Sequence, residues 1–312
     1  MVKCSTCGKR AAIQLKYSGA DLCEACFCRM FEKRVMKANR DFGLLKRGDT
    51  VVAGVSGGKD SSAMLACLAA LSKRIGFTVK PVLIDEGIKG YRDRAVEKAE
   101  ELCESLGLPL SIYPFKEHFG LSLDEIVKKK TAKAKRGAQV PGACSYCGVL
   151  RRRLLNKAAK ELGATKVAVG HNADDAGQTL LLNLLRNDSN GLERFGPLSA
   201  SDQTGSGFVP RIRPLLYNLE KECALYCVAK GIPFFLGECP YSESAMRGPV
   251  KDFLNEMEVE RPGTKFTLLN SLLGMGKAPA KGKSIPAKTC RECGEPSSGG
   301  QCRACSLLSG LA

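Results

Sequence analysis

An apolar segment at residues 50–55, TVVAGV, leads directly into a glycine-rich loop and then into a helix-forming segment at 61–74. A short apolar run bounded by turn residues is typical of a strand that is buried on both faces. Further strands are predicted at 79–84, 110–114 and 166–169, and further helices at 27–39, 92–106, 147–163, 174–186, 219–230 and 244–258. Strands that alternate with helices predict βαβ units, so we expect an α/β fold with a parallel sheet and helices on both faces.

The balance of charge favours a polyanionic partner. The 312 residues include 48 Lys and Arg against 32 Asp and Glu, which gives a formal net charge of +16. Such an excess promotes binding to phosphates, because counterions are released on association. A soluble basic surface without such a partner is the alternative. Charge alone does not distinguish RNA from DNA or from an acidic protein.

The sequence has no feature of a membrane protein. No apolar run approaches the ~18 residues that cross a bilayer. The first residues, MVKC, lack the apolar core of a secretory signal. We therefore expect a soluble, cytoplasmic protein with no membrane partner.

The chain contains 16 cysteines, and eight of them form two terminal sets of paired CxxC motifs. In a reducing cell, such cysteines indicate metal binding or sulfur chemistry rather than disulfides. The sets are Cys4, Cys7, Cys23 and Cys26 at one end and Cys290, Cys293, Cys302 and Cys305 at the other. Four thiolates at this spacing are typical of tetrahedral zinc. We predict two zinc sites with a structural role, since four protein ligands leave no open position, and with RNA contact as an additional role.

The loop at 56–61, SGGKDS, has the composition of a phosphate-binding site. Its glycines let the backbone approach a phosphate, the following helix offers unpaired N–H groups, and Lys59 adds a full positive charge. The loop is not a Walker A motif, because Ala53 stands where the first glycine would be and Asp60 follows the lysine. A dinucleotide-binding GxGxxG motif does not fit either. An ordinary strand-to-helix turn is the alternative.

This loop resembles the PP-loop of the ATP pyrophosphatases, which hold the leaving pyrophosphate and transfer AMP to a substrate oxygen. Other motifs occur in the same order as in the TtuA-type tRNA 2-thiouridine synthetases, which include the archaeal and eukaryotic cytosolic uridine-34 thiolases. They are LIDEGI at 83–88, PGACSYCG at 141–148, GHNADD at 170–175, ECPY at 238–241 and the cysteine ribbon at each end. The resemblance covers nearly the whole chain, and the ribbons separate it from the cytidine-thiolating relatives.

The resemblance implies a PP-loop (adenine nucleotide alpha hydrolase-like) sheet at 29–274, flanked by zinc ribbons at 1–28 and 275–312. It implies adenylation of the uridine O2 oxygen by ATP with Mg²⁺, followed by attack of sulfur on C2 and release of AMP. The partners are tRNA and a sulfur donor, either sulfide or a ubiquitin-like thiocarboxylate protein, and the expected assembly is a homodimer. Whether a wobble or a T-loop uridine is modified stays open.

The residues predicted to bind ATP surround the loop and the ends of neighbouring strands. They are Gly54, Val55, Ser56, Gly57, Gly58, Lys59, Asp60, Ser61, Ser62, Ile84, Asp85, Gly170 and Asp175. A carboxylate that follows a strand of a doubly wound sheet faces the ligand crevice, so Asp175 could hold Mg²⁺, position ATP or transfer a proton. The resemblance supports a catalytic role for Asp175, while Asp174 or Asp175 is expected to cap the helix. Arg151 occupies a position where relatives carry lysine, and we interpret it as an electrostatic or RNA-contacting group.

Cys144 and Cys147 open a predicted helix in a segment whose charged residues are all basic. The helix dipole and the cations favour thiolates there, which suits metal ligation, redox chemistry or a persulfide. A pair alone does not complete a four-coordinate site. On geometry, Cys239 is one candidate for a further ligand, and Cys223 and Cys227, which share a helical face, are the other. We interpret Cys223 and Cys227 as core residues, because free cysteines are commonly buried.

The resemblance assigns the third position to Cys239 and implies a [4Fe–4S] cluster with one iron left open. A predicted strand at 234–236 would bring Cys239 to the carboxyl edge of the sheet. Three unrelated buried thiols, or a persulfide or disulfide mechanism without iron, are the alternatives.

Basic residues at 128–136 are predicted to contact RNA phosphates, with a solvated helical face as the alternative. They are Lys128, Lys129, Lys130, Lys133, Lys135 and Arg136. Two other functions use the same motifs. One is an amidating or lysidine-forming PP-loop enzyme, which the internal cysteine pair disfavours. The other is a zinc-ribbon RNA-binding protein with a vestigial loop, which the intact SGGKDS and Asp175 disfavour.

Overall fold

The computed structural model describes residues 1–133, 142–188, 191, 197, 207–242, 247–275, 288–297 and 299–311. The chain begins with a hairpin of β1 (Ile13–Leu15) and β2 (Ala20–Leu22), which leads into helix α1 (Glu24–Phe42). It ends with a second hairpin of β8 (Lys288–Thr289) and β9 (Pro296–Ser297) and helix α11 (Arg303–Ser309). One terminal cysteine set lies on either side of the first hairpin, and the other lies within the second hairpin and at the start of the helix that follows it.

Between the hairpins lies a five-stranded sheet in which every pairing is parallel. Its strands are β3 (Thr50–Val55), β4 (Thr78–Asp85), β5 (Ser111–Pro114), β6 (Lys166–Ala168) and β7 (Arg211–Ile212), in the order β5-β4-β3-β6-β7. The order reverses between β3 and β6, so the carboxyl ends of these two strands form the switch point where ligands bind in doubly wound sheets. The predicted parallel α/β fold is confirmed.

Helices connect these strands and continue beyond them. They are α2 (Lys59–Ile75), α3 (Arg92–Ser105), α4 (Phe115–Phe119), α5 (Leu123–Lys133), α6 (Ala143–Glu161), α7 (Ala173–Leu185), α8 (Glu220–Lys230), α9 (Arg247–Glu260) and α10 (Thr264–Met275). The described helices include none that is both long and apolar enough to cross a membrane.

Alternate side chains of the central strand enter two different hydrophobic cores. Val51, Ala53 and Val55 of β3 join one core with α1, α2 and α8. Val52 points to the opposite face and joins a second core with α5 and α6. A strand covered on both faces has no polar side, which explains its continuous apolar sequence.

The second core also contains the C-terminal hairpin. Cys290, Cys302 and Cys305 are buried in it together with Leu307 and Leu311. The N-terminal hairpin packs elsewhere, where Tyr17 contacts Phe266 of α10 with ring centroids 5.0 Å apart. The two cysteine-bearing ends, similar in sequence, therefore support different faces of the molecule.

Most predicted elements agree with the structure to within three residues, but several differences occur. Helix α6 begins at Ala143 rather than near residue 147, because Gly142 starts it without a side-chain cap that the sequence would reveal. Segment 234–236 is not a strand and forms only an isolated bridge between Phe235 and Gly58. Helix α5 and strand β7 were not predicted. Neither was α10, although its buried residues Leu269 and Leu272 recur at helical spacing. The predicted loop at 188–207 and the linker at 277–288 lie almost entirely outside the described residues.

Candidate functional site

The glycine-rich loop joins β3 to α2 at the switch point, as the sequence predicts. Ser61 organises it: its Oγ accepts a hydrogen bond from the Ser56 N–H at 3.0 Å and donates one to the Gly58 carbonyl at 2.9 Å. The first turn of α2 has no side-chain cap, so its N–H groups stay available to an anion. Gly170, after β6, lies so close that an added Cβ would come within 3.1 Å of the Ser61 nitrogen.

Several of the predicted ATP-binding residues are core residues. Val55, Ser62 and Ile84 are almost fully buried, so only their backbone atoms are placed to reach a ligand. Gly54 makes room for Leu155, since a Cβ there would lie 3.4 Å from its Cδ2. Asp85 accepts a hydrogen bond from the Gly87 N–H at 2.8 Å and shapes the turn after β4.

Gly57 is required by packing as well as by its backbone conformation. Its φ is +78°, and a Cβ at this position would lie 2.0 Å from the carbonyl oxygen of Ala95 in α3. We expect Gly57→Ala to lower the free energy of unfolding by roughly 2–5 kcal/mol, since overpacking adds to the cost of a left-handed backbone. Gly90→Ala is the matched control, because its φ is +72° with nothing within 4 Å. Its expected cost is about 1–2 kcal/mol. Equal losses in denaturant unfolding would contradict the clash.

Lys59 lies between two carboxylates at the start of α2. Its Nζ is 3.1 Å from Asp60 and 2.9 Å from Glu220, the first residue of α8. Burial alone would lower the pKa of Lys59, but Asp60 and Glu220 outweigh burial and raise it, so the ammonium stays charged. Glu220 also pairs with Lys251 at 2.8 Å. The loop lysine is thus held at the crevice by an ion-pair network that joins α2, α8 and α9.

Asp174 and Asp175 have separate roles. The expected capping of α7 by one of the two aspartates is confirmed for Asp175, which forms a capping box with the N-cap residue Asn172, but not for Asp174. Asp174 instead accepts the Glu220 N–H at 2.7 Å and binds Lys265, so it fixes the start of α8. Asp175 forms an ion pair with Arg247 at 2.8 Å. Burial raises the pKa of Asp175 to about 6, although Arg247 and the Asn172 N–H act in the opposite direction.

The three cysteines singled out by the resemblance lie at one edge of the sheet. Cys144 and Cys147 are in the first turns of α6, and the Cys144 thiol contacts the Tyr241 carbonyl, two residues after Cys239, at 3.3 Å. Burial raises the pKa of Cys147 to about 12, a direction that Cys239 and Cys144 reinforce and Arg151 opposes. The prediction that this helix start favours a thiolate is therefore wrong for the metal-free side chain of Cys147. Coordination to a metal would reverse this, because a ligating thiol loses its proton.

The segment that carries Cys239 is tied to the phosphate loop. The Phe235 N–H donates to the Gly57 carbonyl at 2.8 Å. This bridge, rather than the predicted strand, holds the segment that leads to Cys239 at the carboxyl edge of the sheet. Cys223 and Cys227 are fully buried in the core between α2 and α8, in agreement with their interpretation as packing residues. Cys67 and Cys103 are buried in the same core.

A buried arginine and a buried glutamate connect the loop to the cysteines. Arg92 donates to the carbonyl oxygens of Ser56, at 3.0 Å, and Ile84, so it joins the ends of β3 and β4. Its Nε lies 3.0 Å from Glu86, which is 2% exposed. Glu86 reaches Arg151 on α6 at 3.6 Å. Neither Arg92 nor Glu86 was among the predicted site residues, although Glu86 directly follows a strand end.

The terminal cysteine sets have the geometry of tetrahedral metal sites. Within each set the four sulfurs lie within 4.8 Å of one another, and no other such group of three or more ligands occurs among the described residues. Backbone N–H donors, first that of Cys23, lower the pKa of Cys4 to about 6, and Cys302 acts in the same way on Cys290, whose pKa is also about 6. The sulfurs of Cys144, Cys147 and Cys239 do not all lie within 4.8 Å of one another.

The basic segment is only partly described. Lys128, Lys129 and Lys130 lie on α5, and Lys130 donates to the Gly310 carbonyl at 3.1 Å, so this end of α5 contacts the residue that follows α11. Of Lys133 only the backbone is described, and Lys135 and Arg136 lie outside the described residues. His171, which could have been a packing residue, is exposed.

Two family models match the chain. One, described as a PP-loop domain, matches residues 28–257, and the other, described as the N-terminal LIM domain of the 2-thiouridine synthetase TtuA, matches residues 3–28. Among curated proteins, the chain is 40% identical over 310 residues to cytoplasmic tRNA 2-thiolation protein 1 of Mus musculus, which covers 99% of this chain and 72% of the mouse protein. It is 34% identical over 325 residues to the tRNA 2-thiolation protein NcsA of Haloferax volcanii, and the aligned region covers 99% of this chain and 99% of that protein.

A solved structure is similar over the whole molecule. It is the U34-tRNA thiolase NcsA from Methanococcus maripaludis with its [4Fe–4S] cluster, which superposes with a TM-score of 0.84 at 31% identity. The match covers 100% of this chain and 97% of that one.

Proposed function

The chain belongs to the tRNA 2-thiolation family of PP-loop proteins, and from this premise we propose that it is an ATP-dependent enzyme that replaces the O2 oxygen of a tRNA uridine with sulfur. The similar solved structure is that of a U34-tRNA thiolase, so we propose uridine 34 as the target. ATP would adenylate O2 with release of pyrophosphate. A sulfur nucleophile would then attack C2, and AMP would leave with the original oxygen.

One observation carries this proposal: the phosphate loop and the cysteines share one edge of the sheet and are physically joined. Arg92 binds the Ser56 carbonyl and Glu86, and Glu86 binds Arg151, one helical turn beyond Cys147. Phe235 binds the Gly57 carbonyl in the segment leading to Cys239. A base activated by ATP at the loop would therefore lie beside the sulfur chemistry without a large movement.

In the first step, the chain would contribute charge and orientation. The N–H groups of α2 and the Lys59 ammonium would stabilise charge on the departing pyrophosphate. Mg²⁺ would be shared between phosphates and carboxylates, with Asp60 and Asp175 as the nearest candidates. Asn172 donates to Asp60 at 3.0 Å and would keep that carboxylate in place.

In the second step, Cys144, Cys147 and Cys239 would hold a [4Fe–4S] cluster. Three thiols from two segments fit such a group, because the Cys144 thiol contacts the Tyr241 carbonyl, two residues after Cys239. When bound, the cluster supplies an iron without a protein ligand, to which sulfur can attach. Arg151 would lie beside this sulfur as a permanent positive charge, held in position by Glu86.

The remaining parts of the proposal concern partners and organisation. The terminal sets, Cys4, Cys7, Cys23 and Cys26 and Cys290, Cys293, Cys302 and Cys305, would each hold one structural Zn²⁺. Sulfide or a ubiquitin-like thiocarboxylate protein would supply the sulfur, and the enzyme would act as a homodimer. The ribbons at 1–28 and 275–312 would flank a catalytic unit at 29–274.

The function is tested with protein purified without oxygen, an unmodified tRNA transcript, ATP and sulfide. We expect one 2-thiouridine, one AMP and one pyrophosphate per turnover, with the thiouridine located at position 34 by nuclease digestion and mass spectrometry. Omission of ATP is the control. AMP formation with incorporation of an amine instead of sulfur would reject thiolation in favour of an amidating PP-loop reaction.

The raised pKa of Asp175 predicts a pH dependence of the first step. A carboxyl group with a pKa of about 6 is protonated below that pH, so pyrophosphate release should fall as the pH drops through 6. Arg247 holds this pKa down, and Arg247→Gln should therefore move the midpoint to higher pH. Arg74→Gln, at the far end of α2, should leave the midpoint in place. An identical profile for Arg247→Gln and wild type would contradict the role of Asp175 as a carboxylate.

A further inference from the structure

Five arginines act electrostatically on His171 or on one another, and we call them the arginine recess: Arg151, Arg152, Arg211, Arg213 and Arg247. They come from three parts of the chain, namely α6, β7 with the residues after it, and the start of α9. Arg211 donates to the carbonyl of Arg152 at 3.3 Å, which fixes β7 against α6. No sequence motif reveals this grouping, because α6, β7 and α9 are far apart along the chain.

The charges of the recess act on one another. Desolvation, followed by the charges of Arg211 and Arg151, lowers the pKa of Arg152. Although the His171 side chain is exposed, desolvation by the surrounding atoms and the positive charges of Arg213, Arg247, Arg151 and Arg211 lower its pKa. Arg152 is exposed and forms no ion pair with a carboxylate in the described part of the chain. Glu86 and Asp175 already pair with Arg151 and Arg247, so the repulsion that a bound anion would relieve is centred on Arg152.

Helix α6 places these charges next to the cysteines. Arg151 is four residues after Cys147, and Arg152 is eight after Cys144, so each arginine shares a helical face with a cysteine. Four residues advance about 6 Å along the axis. Gly148 lies between Cys144 and Arg152, and a Cβ added there would be 3.6 Å from the Arg152 guanidinium. Because Gly148 has no side chain, the surface of α6 between Cys144 and Arg152 is open.

Arg211 lies farther from the phosphate loop than Arg151 and Arg247. Arg151 and Arg247 pair with Glu86 and Asp175, which follow the two strands on either side of β3. Arg211 is on β7, two strands from β3, and adjacent strands are about 4.8 Å apart, so it lies roughly 10 Å from the strand that leads into the loop. Phosphates of an ATP held at the phosphate loop would therefore not reach Arg211.

We propose that the arginine recess binds a phosphodiester of the RNA strand that carries the target base. A nucleotide whose base reaches the cysteines brings its backbone phosphates alongside the next turns of α6, where guanidinium groups can bind them. The inference rests on the proposed function in taking tRNA as the RNA. It assigns the contact nearest the chemistry to Arg152 and Arg211 rather than to the lysines of α5.

The test measures tRNA binding over a range of salt concentrations, without thiolation. Arg152→Gln and, separately, Arg211→Gln should reduce the slope of log K against log salt by about 0.7–0.9, and weaken binding about five- to tenfold near 0.1 M salt. Arg74→Gln is the matched control, since Arg74 is exposed at the opposite end of the sheet. Its slope should equal that of the wild type. Thermal unfolding of each variant verifies the fold.

ATP affinity, measured by calorimetry on the same variants, identifies the phosphate that is bound. We expect it to be unchanged in Arg152→Gln and Arg211→Gln. Weaker ATP binding with an unchanged tRNA salt slope would assign the recess to the nucleotide and overturn the inference, as would an unchanged slope alone. If the variants show the expected slope changes but wild-type protein forms no thiouridine, the proposed function fails while the recess stands.

Discussion

Replacement of Cys144, Cys147 or Cys239 by alanine is expected to remove iron and 2-thiouridine formation together, while about two zinc ions per chain remain. Each thiol would supply one of only three ligands, so loss of one leaves too few to retain a cluster. The zinc sites should persist because their eight thiols belong to separate, closed sets. Iron and zinc are quantified separately after purification without oxygen, together with the visible absorption spectrum.

Cys223→Ala and Cys227→Ala are matched controls for these variants. Both thiols are fully buried, so the substitutions should cost packing energy and keep the iron. Loss of iron in Cys227→Ala with retention in Cys239→Ala would show that the third ligand is wrongly assigned. Active wild-type protein without iron or visible absorption would reject the cluster and favour a persulfide relay between Cys144 and Cys147.

Lys59→Ala is expected to lower the rate of pyrophosphate release at least about a hundredfold, by analogy with removal of a preorganised donor from a charge-stabilising site. The fold should hold, because Glu220 keeps its ion pair with Lys251 when Lys59 is lost. Lys73→Ala, in the last turn of the same helix, is the matched control and should retain the wild-type rate. Release of AMP and pyrophosphate is followed in the presence of tRNA. A wild-type rate in Lys59→Ala would mean that this loop does not hold the leaving group.

The parts of the fold that were predicted correctly are those whose signal is local. The strand at 50–55 was predicted without error, because its apolar run ends at glycines and its two faces enter two cores. The terminal cysteine sets were equally clear, since metal geometry requires thiols at short, regular spacing. The predictions missed α10, although Leu269 and Leu272 recur there at helical spacing, and they placed the start of α6 too late, because its N-cap residue Gly142 provides no side-chain cap.

The sequence by itself determined the α/β class, the phosphate loop and the two tetrahedral cysteine sets, because each depends on residues that are close along the chain. Only the tertiary structure decided which side chains meet across the sheet. Glu86 contacts Arg92 and Arg151, Glu220 contacts Lys59, and Arg211 contacts Arg152, in pairs mostly separated by dozens of residues. The physical reason is that parallel strands bring their carboxyl ends to one edge, whatever their distance in sequence. Burial at that edge then sets protonation, as it does for Asp175 and Cys147.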